Sequence, residues 1–147
     1  MDNANIRRIL MADDDLRDVE LTLEALNDNN IANMIDVVND GAEALDYLYR
    51  RGNYDGRKTG NPAVMLLDLK MPRLNGIDVL RAIKSDPALK TIPIVVLTSS
   101  KEESDLKECY ELGVNAYVVK PVEFGDFMVA IKTLGAFWAI LNEVPKD

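Results

Sequence analysis

The chain has 147 residues, of which 48% are apolar, and 25 acidic against 17 basic residues give it a formal net charge of −8. This length and composition suit one folded domain with its own core and exclude a disordered tail. The negative charge repels nucleic acid, no apolar run reaches the roughly 20 residues that span a bilayer, and the N-terminus lacks a signal peptide, so we expect a cytoplasmic protein that binds neither nucleic acid nor membrane.

Five short apolar runs predict the strands of a sheet. In chain order they cover residues 9–12, 34–38, 64–67, 94–97 and 116–119. Their continuous hydrophobicity and their Val and Ile content are typical of parallel strands that are covered on both faces.

Apolar residues at helical spacing lie between and after these runs. They are Leu16, Val19, Leu23 and Leu26; Ala44, Leu45 and Leu48; Ile77, Leu80 and Ile83; Leu106 and Tyr110; and Phe124, Phe127, Met128, Ile131, Leu134, Phe137 and Trp138. Strands that alternate with helices predict right-handed crossovers and a doubly wound α/β sheet. In such folds ligands bind beyond the carboxyl ends of the strands.

The longest predicted connection, residues 49–63, holds four Gly or Pro residues and four basic residues. We expect a surface loop here. Long loops in compact domains are often functional, but a solvated excursion without a partner is an equally open interpretation.

Polar residues stand at the ends of four of the five runs. They are Asp13, Asp14 and Asp15 after the first, Asp68 after the third, Thr98 and Ser99 after the fourth, and Lys120 after the fifth. In a parallel sheet all of these lie at one edge. Capping of the first helix accounts for one carboxylate, by position Asp15, and leaves Asp13 and Asp14 to meet Asp68.

Such a cluster of carboxylates predicts a bound cation. Two carboxylates about 4 Å apart repel each other by roughly 4 kcal/mol at an effective dielectric constant of about 20. The chain has no histidine, and Cys109 is its one cysteine, so oxygen ligands and Mg²⁺ are favoured. Asp68 is then a metal ligand, a nucleophile toward a phosphoryl group, or both.

Four segments, ILMADDD, LLDLKMPRLNGIDVL, IPIVVLTSS and GVNAYVVKP, resemble the response-regulator receiver domain of two-component signalling, and the resemblance extends over residues 9 to about 141. It implies a flavodoxin-like sheet with strand order 2-1-3-4-5. It also implies that Asp68 accepts a phosphoryl group from a sensor histidine kinase.

The resemblance assigns further roles. Asp14 and Asp68 would bind Mg²⁺ through carboxylates, Asp13 through a metal-bound water, and Lys70 through its backbone carbonyl. Lys120 would pair with a phosphate oxygen and form a cis peptide bond with Pro121. Thr98 and Tyr117 would act as the switch that alters the surface of helix 4, strand 5 and helix 5. Thr98, Tyr117 and Lys120 complete the expected site.

The same resemblance predicts one receiver domain over residues 1–147, with a core of about 6–141 and no output domain. The segments DVELTLEALNDNN and GAFWAILNE and the long loop are similar to regulators paired with bacterial or cyanobacterial phytochrome kinases. Apolar residues of the last helix suggest a homodimer through helix 4, strand 5 and helix 5, a kinase contact, or merely a cover for the core.

Two other functions stay open. A phosphotransferase of the haloacid-dehalogenase type also has a nucleophilic Asp, and Asp13 and Asp15 fit its D-x-D motif, but Arg17 stands where that motif has Thr or Val. The other is a receiver-like adaptor that is never phosphorylated. Replacing Asp68 by Asn distinguishes a receiver, which loses its phosphoryl group, from the dehalogenase type, which keeps labelling at Asp13.

Overall fold

The computed structural model describes residues 8–27, 35–58, 60–120 and 125. In this part of the chain, strands β1 (Ile9–Ala12), β2 (Ile35–Val38), β3 (Val64–Leu67), β4 (Ile94–Thr98) and β5 (Ala116–Val119) alternate with helices α1 (Leu16–Asn27), α2 (Gly41–Tyr49), α3 (Gly76–Ser85) and α4 (Glu103–Glu111). The predicted strands are confirmed to within one residue at each end. The predicted last helix lies outside the described residues.

The strands form one parallel sheet with the order β2-β1-β3-β4-β5. This order confirms the doubly wound, flavodoxin-like fold. The chain turns back across β1 to reach β3, so the carboxyl ends of β1 and β3 form the switch point where such folds bind ligands. Ala12 pairs with Leu67, so that the residues following these two strands are neighbours.

Both faces of the sheet are covered. On one face, Leu10, Met65 and Ile94 pack with residues of α2 and α3, among them Leu48 and Leu80. On the other face, the alternate strand residues Ile9, Met11, Val64, Leu66 and Val95 pack with Val19 of α1. Every residue of β1, β3 and β4 is buried, which explains the continuous apolar runs and gives the strand ends a rigid support.

The predicted surface loop packs against α2. The Arg57 guanidinium lies 4.1 Å from the centre of the Tyr47 ring, and its Nε donates to the Tyr47 carbonyl at 3.0 Å. Tyr54 ends a short 3₁₀ helix at Gly52–Tyr54. Its hydroxyl donates to Glu43 of α2 at 2.6 Å. The loop is therefore anchored at its centre by an aromatic and basic contact with α2.

Among the described helices, none is long and apolar enough to cross a membrane.

Candidate functional site

Three carboxylates converge at the switch point. The Asp13 N–H donates to the Val38 carbonyl at 3.1 Å and the Asp68 N–H donates to the Ala12 carbonyl at 3.0 Å, so the backbone ladder continues to the first residue beyond each strand. One oxygen each from Asp13, Asp14 and Asp68 lies within 4.8 Å of the others. Asp13 and Asp68 are buried and Asp14 is exposed.

Lys120 reaches the same point from β5. Its N–H donates to the Thr98 carbonyl at 2.7 Å, which fixes its backbone beside β4. Its Nζ donates to Asp13 Oδ2 at 2.8 Å, to Asp18 Oδ2 at 2.8 Å and to Asp68 Oδ2 at 3.3 Å. An ammonium has three donors, and these contacts use all of them.

The electrostatics of this group favour an additional cation. Burial raises the pKa of the Asp13 carboxyl by more than the hydrogen bonds from Lys120 and from the Asp15 N–H lower it. Burial alone would lower the pKa of Lys120, but its hydrogen bonds to Asp13 and Asp18, together with the negative charges of Asp68 and Asp13, outweigh burial and raise that pKa above its ordinary value. Lys120 therefore stays charged, yet its ammonium does not fully offset the cost of burying the Asp13 carboxylate.

The cluster opens into a cleft of about 890 Å³. Its lining includes Asp14, Asp68, Lys70, Ser99, Lys120 and the first turn of α1. A set of carboxylate oxygens, one of them exposed to the cleft, fits a hard divalent cation such as Mg²⁺, which keeps several waters. Lys70 also donates its N–H to Asp68 Oδ1, at 3.4 Å, while its carbonyl stays a predicted ligand.

Asp15 caps α1, as its position predicts. Its Oδ1 accepts from the N–H groups of Arg17, at 2.9 Å, and Asp18, at 3.3 Å. Its own N–H donates to Asp13 Oδ1 at 2.9 Å, so the cap is tied to the carboxylate cluster. This turn holds Asp18 over Lys120.

Asp18 is a residue of the site that the sequence does not single out. Its one signal is a place in the first turn of the helix that follows Asp13, Asp14 and Asp15. The favourable interaction with the helix dipole already explains a carboxylate at this position, so the sequence does not indicate that Asp18 contacts Lys120.

The predicted switch residues meet at Ser100. The buried Thr98 hydroxyl accepts from the Ser100 N–H at 3.2 Å, and the half-buried Tyr117 hydroxyl donates to the Ser100 carbonyl at 3.1 Å. The Ser100 hydroxyl donates to Asp105 of α4 at 2.6 Å. Ser100, which no sequence pattern singles out, thus connects both switch residues to α4.

Two predictions concern residues that the structure does not describe. The cis bond between Lys120 and Pro121 and the apolar surface of the last helix lie outside the described residues. The structure does bring Asp13, Asp14, Asp68 and Lys120 together, with Thr98 and Tyr117 linked to them through β4.

Known proteins are similar to this chain in sequence and fold. Bacteriophytochrome response regulator RtBRR is 58% identical, with a TM-score of 0.83 over 95% of this chain and 84% of its own. Response regulator Rcp1 of Synechocystis sp. is 36% identical over 88% of this chain and 87% of its own length. A solved Mn²⁺-bound form of a response regulator Rcp1 has a TM-score of 0.78 at 34% identity, covering 95% of this chain and 99% of its own.

A third relative is the phosphorylated cyanobacterial phytochrome response regulator RcpA, which is 36% identical with a TM-score of 0.78 over 95% of this chain and 99% of its own. The family model of the response regulator receiver domain matches residues 9–132. That match includes every strand and helix described above. The chain therefore belongs to the family of response regulator receiver domains.

Proposed function

We propose that this chain is a phosphoacceptor of a two-component phosphorelay, and that Asp68 takes a phosphoryl group from a sensor histidine kinase. The observation that carries the proposal is the position of Asp68 at the cleft, where its carboxylate meets the Lys120 ammonium at 3.3 Å. The membership of the receiver family favours this function over a dehalogenase-type phosphotransferase, whose nucleophile would follow β1.

The transfer needs one nucleophile and several positive groups. A carboxylate oxygen of Asp68 forms a bond to phosphorus while the phosphorus–nitrogen bond of the phosphohistidine breaks, and the histidine ring, protonated on its other nitrogen, leaves as a neutral imidazole. Lys120 then pairs with a phosphoryl oxygen as a point charge. Mg²⁺, when held by Asp13, Asp14, Asp68 and the Lys70 carbonyl, supplies further positive charge to the phosphoryl oxygens.

The kinase partner is inferred from relatives. Two relatives are described as bacteriophytochrome or phytochrome response regulators, one of them in a phosphorylated form, and Rcp1 has been solved with Mn²⁺. The cluster of Asp13, Asp14 and Asp68 in this chain supports the same metal class here. We therefore propose a bacteriophytochrome-type histidine kinase as the phosphodonor.

Phosphorylation would act on α4 and β5. The Thr98 hydroxyl would donate to a phosphoryl oxygen, and the turn of this side chain toward the phosphoryl group would strain the bond that it now accepts from the Ser100 N–H at 3.2 Å. The resulting shift of population would move Ser100, its partner Asp105 and the Tyr117 hydroxyl together. On α4, the exposed side chains of Leu106 and Tyr110 lie one turn apart and would form part of a homodimer surface.

The function is tested by labelling. Incubation with acetyl phosphate and Mg²⁺ is expected to add one base-labile phosphoryl group to the protein, and Asp68→Asn is expected to remove it. Asp55→Asn, at an exposed loop position, is the matched control and keeps the label. Label retained at Asp13 in Asp68→Asn would favour the dehalogenase type, and a complete lack of labelling would favour the adaptor.

The partner and the dimer need separate measurements. Transfer from a phosphorylated bacteriophytochrome kinase to Asp68 within seconds supports the proposed partner, and transfer no faster than from an unrelated kinase contradicts it. Sedimentation with and without beryllofluoride and Mg²⁺ tests the dimer, which a monomer under both conditions at high concentration would disprove.

A further inference from the structure

The Lys120 ammonium is shared between the phosphoacceptor and a residue of α1. Its Nζ lies 2.8 Å from Asp13 and 2.8 Å from Asp18, but 3.3 Å from Asp68. Only 12% of the Lys120 side chain is exposed. The lysine is thus held more closely by α1 and β1 than by the residue that it is expected to assist.

Asp18 is held in place for this contact. Its N–H donates to the capping carboxylate of Asp15, and its carbonyl accepts from the Thr22 hydroxyl at 2.9 Å. These two bonds fix the backbone of Asp18 in the first turn of α1, and its side chain reaches the Lys120 ammonium from there.

Asp13 and Asp18 differ as partners of Lys120. The Asp13 side chain is 1% exposed and that of Asp18 is 30% exposed. Water can replace the lost hydrogen bond at Asp18 but not at Asp13, so release of Lys120 from Asp18 costs less. When a phosphoryl group demands a donor from Lys120, Asp18 is the partner that competes for it and gives way.

We propose that Asp18 is a positioning residue that tethers Lys120 to α1 and competes for its ammonium with the phosphoryl group on Asp68. The tether weakens the phosphorylated form and links its formation to the first turn of α1. This inference depends on the proposed function, because it requires a phosphoryl group on Asp68.

Beryllofluoride, a mimic of the phosphoryl group, provides the measurement. Its affinity is determined by calorimetry at saturating Mg²⁺ for the wild type, Asp18→Asn and Glu20→Gln. Glu20 lies on the same helix, is exposed and loses the same charge, so it is the matched control. Asp18→Asn is expected to bind about threefold to tenfold more tightly, as for loss of one partly exposed ion pair, and Glu20→Gln is expected to match the wild type.

A double-mutant cycle separates the tether from a general effect of charge. In a Lys120→Gln background, which binds beryllofluoride more weakly, Asp18→Asn is expected to have no further effect. Lys120→Met, with an unbranched apolar stem, replaces the glutamine variant if that variant does not fold. Equal tightening with and without Lys120, or no tightening in Asp18→Asn, would overturn the proposal.

Failure of the function itself is recognised independently. If the wild type neither binds beryllofluoride nor takes up label from acetyl phosphate, the phosphoacceptor role is wrong, and the proposed competition between Asp18 and the phosphoryl group for Lys120 fails with it. If the wild type does both and Asp18→Asn behaves as Glu20→Gln, the phosphoacceptor role stands and the role of Asp18 is rejected.

Discussion

Gly76 lies where no side chain fits, directly beneath the proposed phosphoacceptor. It is the first residue of α3, and its N–H donates to the Leu69 carbonyl at 2.8 Å. A Cβ added at Gly76 would overlap the carbonyl oxygen of Asp68 and lie 2.6 Å from the Cα of Leu69. Both obstacles are backbone atoms, so no rotation of a side chain relieves the overlap. Gly76→Ala must therefore displace α3 or the segment that carries Asp68.

The size of the effect follows from this overlap. Forcing one extra carbon into a packed site costs about 1–3 kcal/mol, and the better helix propensity of Ala, worth about 1 kcal/mol in a helix interior, offsets only part of it. For a chain of 147 residues, a net loss of about 2 kcal/mol lowers the melting temperature by about 4–8 °C. A shift of Asp68 by a few tenths of an ångström away from Lys120 is expected to slow phosphorylation by about tenfold.

Urea unfolding and phosphorylation by acetyl phosphate measure the two effects. Gly56→Ala is the control, because a Cβ at Gly56 meets no atom within 4 Å. We expect this control to match the wild type within about 0.5 kcal/mol and to be phosphorylated at the same rate.

Two results would refute the reasoning about Gly76. If Gly76→Ala unfolds at the same urea concentration as Gly56→Ala, the close approach does not constrain the fold. If Gly76→Ala is less stable but is phosphorylated at the normal rate, the glycine supports the packing of α3 and not the position of Asp68.

Two further predictions concern α4 and its connection to the site. Ser100→Ala removes the 2.6 Å bond to Asp105. It is expected to lower the free energy of unfolding by about 1–2 kcal/mol and to speed hydrogen exchange in the first turn of α4. Unchanged exchange there would argue against a link through Ser100. Burial, with Asp105 and Glu108 nearby, raises the pKa of the Cys109 thiol to about 11, so at pH 8 only about one thiol in a thousand is ionised. Its reaction with a disulfide reagent at pH 8 should be at least about a hundredfold slower in the native protein than in urea, and rapid native labelling would show that α4 opens readily.

Local pattern in the sequence was enough to locate the strands. A strand covered on both faces must be apolar at consecutive positions, and Val64–Leu67 and Ile94–Thr98 are completely buried for that reason. The capping role of Asp15 was also readable, because a cap interacts with N–H groups only two and three residues away. The strand order was not readable from local pattern, because the alternation of strands and helices fixes the handedness of the crossovers but not the order of the strands across the sheet. That order was predicted by the resemblance to receiver domains.

Contacts between distant residues required the folded chain. Asp18 and Lys120 are separated by 102 positions, and nothing near either residue indicates that α1 and β5 bring them together. The same holds for Ser100 and Tyr117, which are 17 positions apart and meet only because β4 and β5 are paired. A residue pattern reports the burial and local hydrogen bonding of its own segment, whereas the distances at a sheet edge depend on how all segments pack at once.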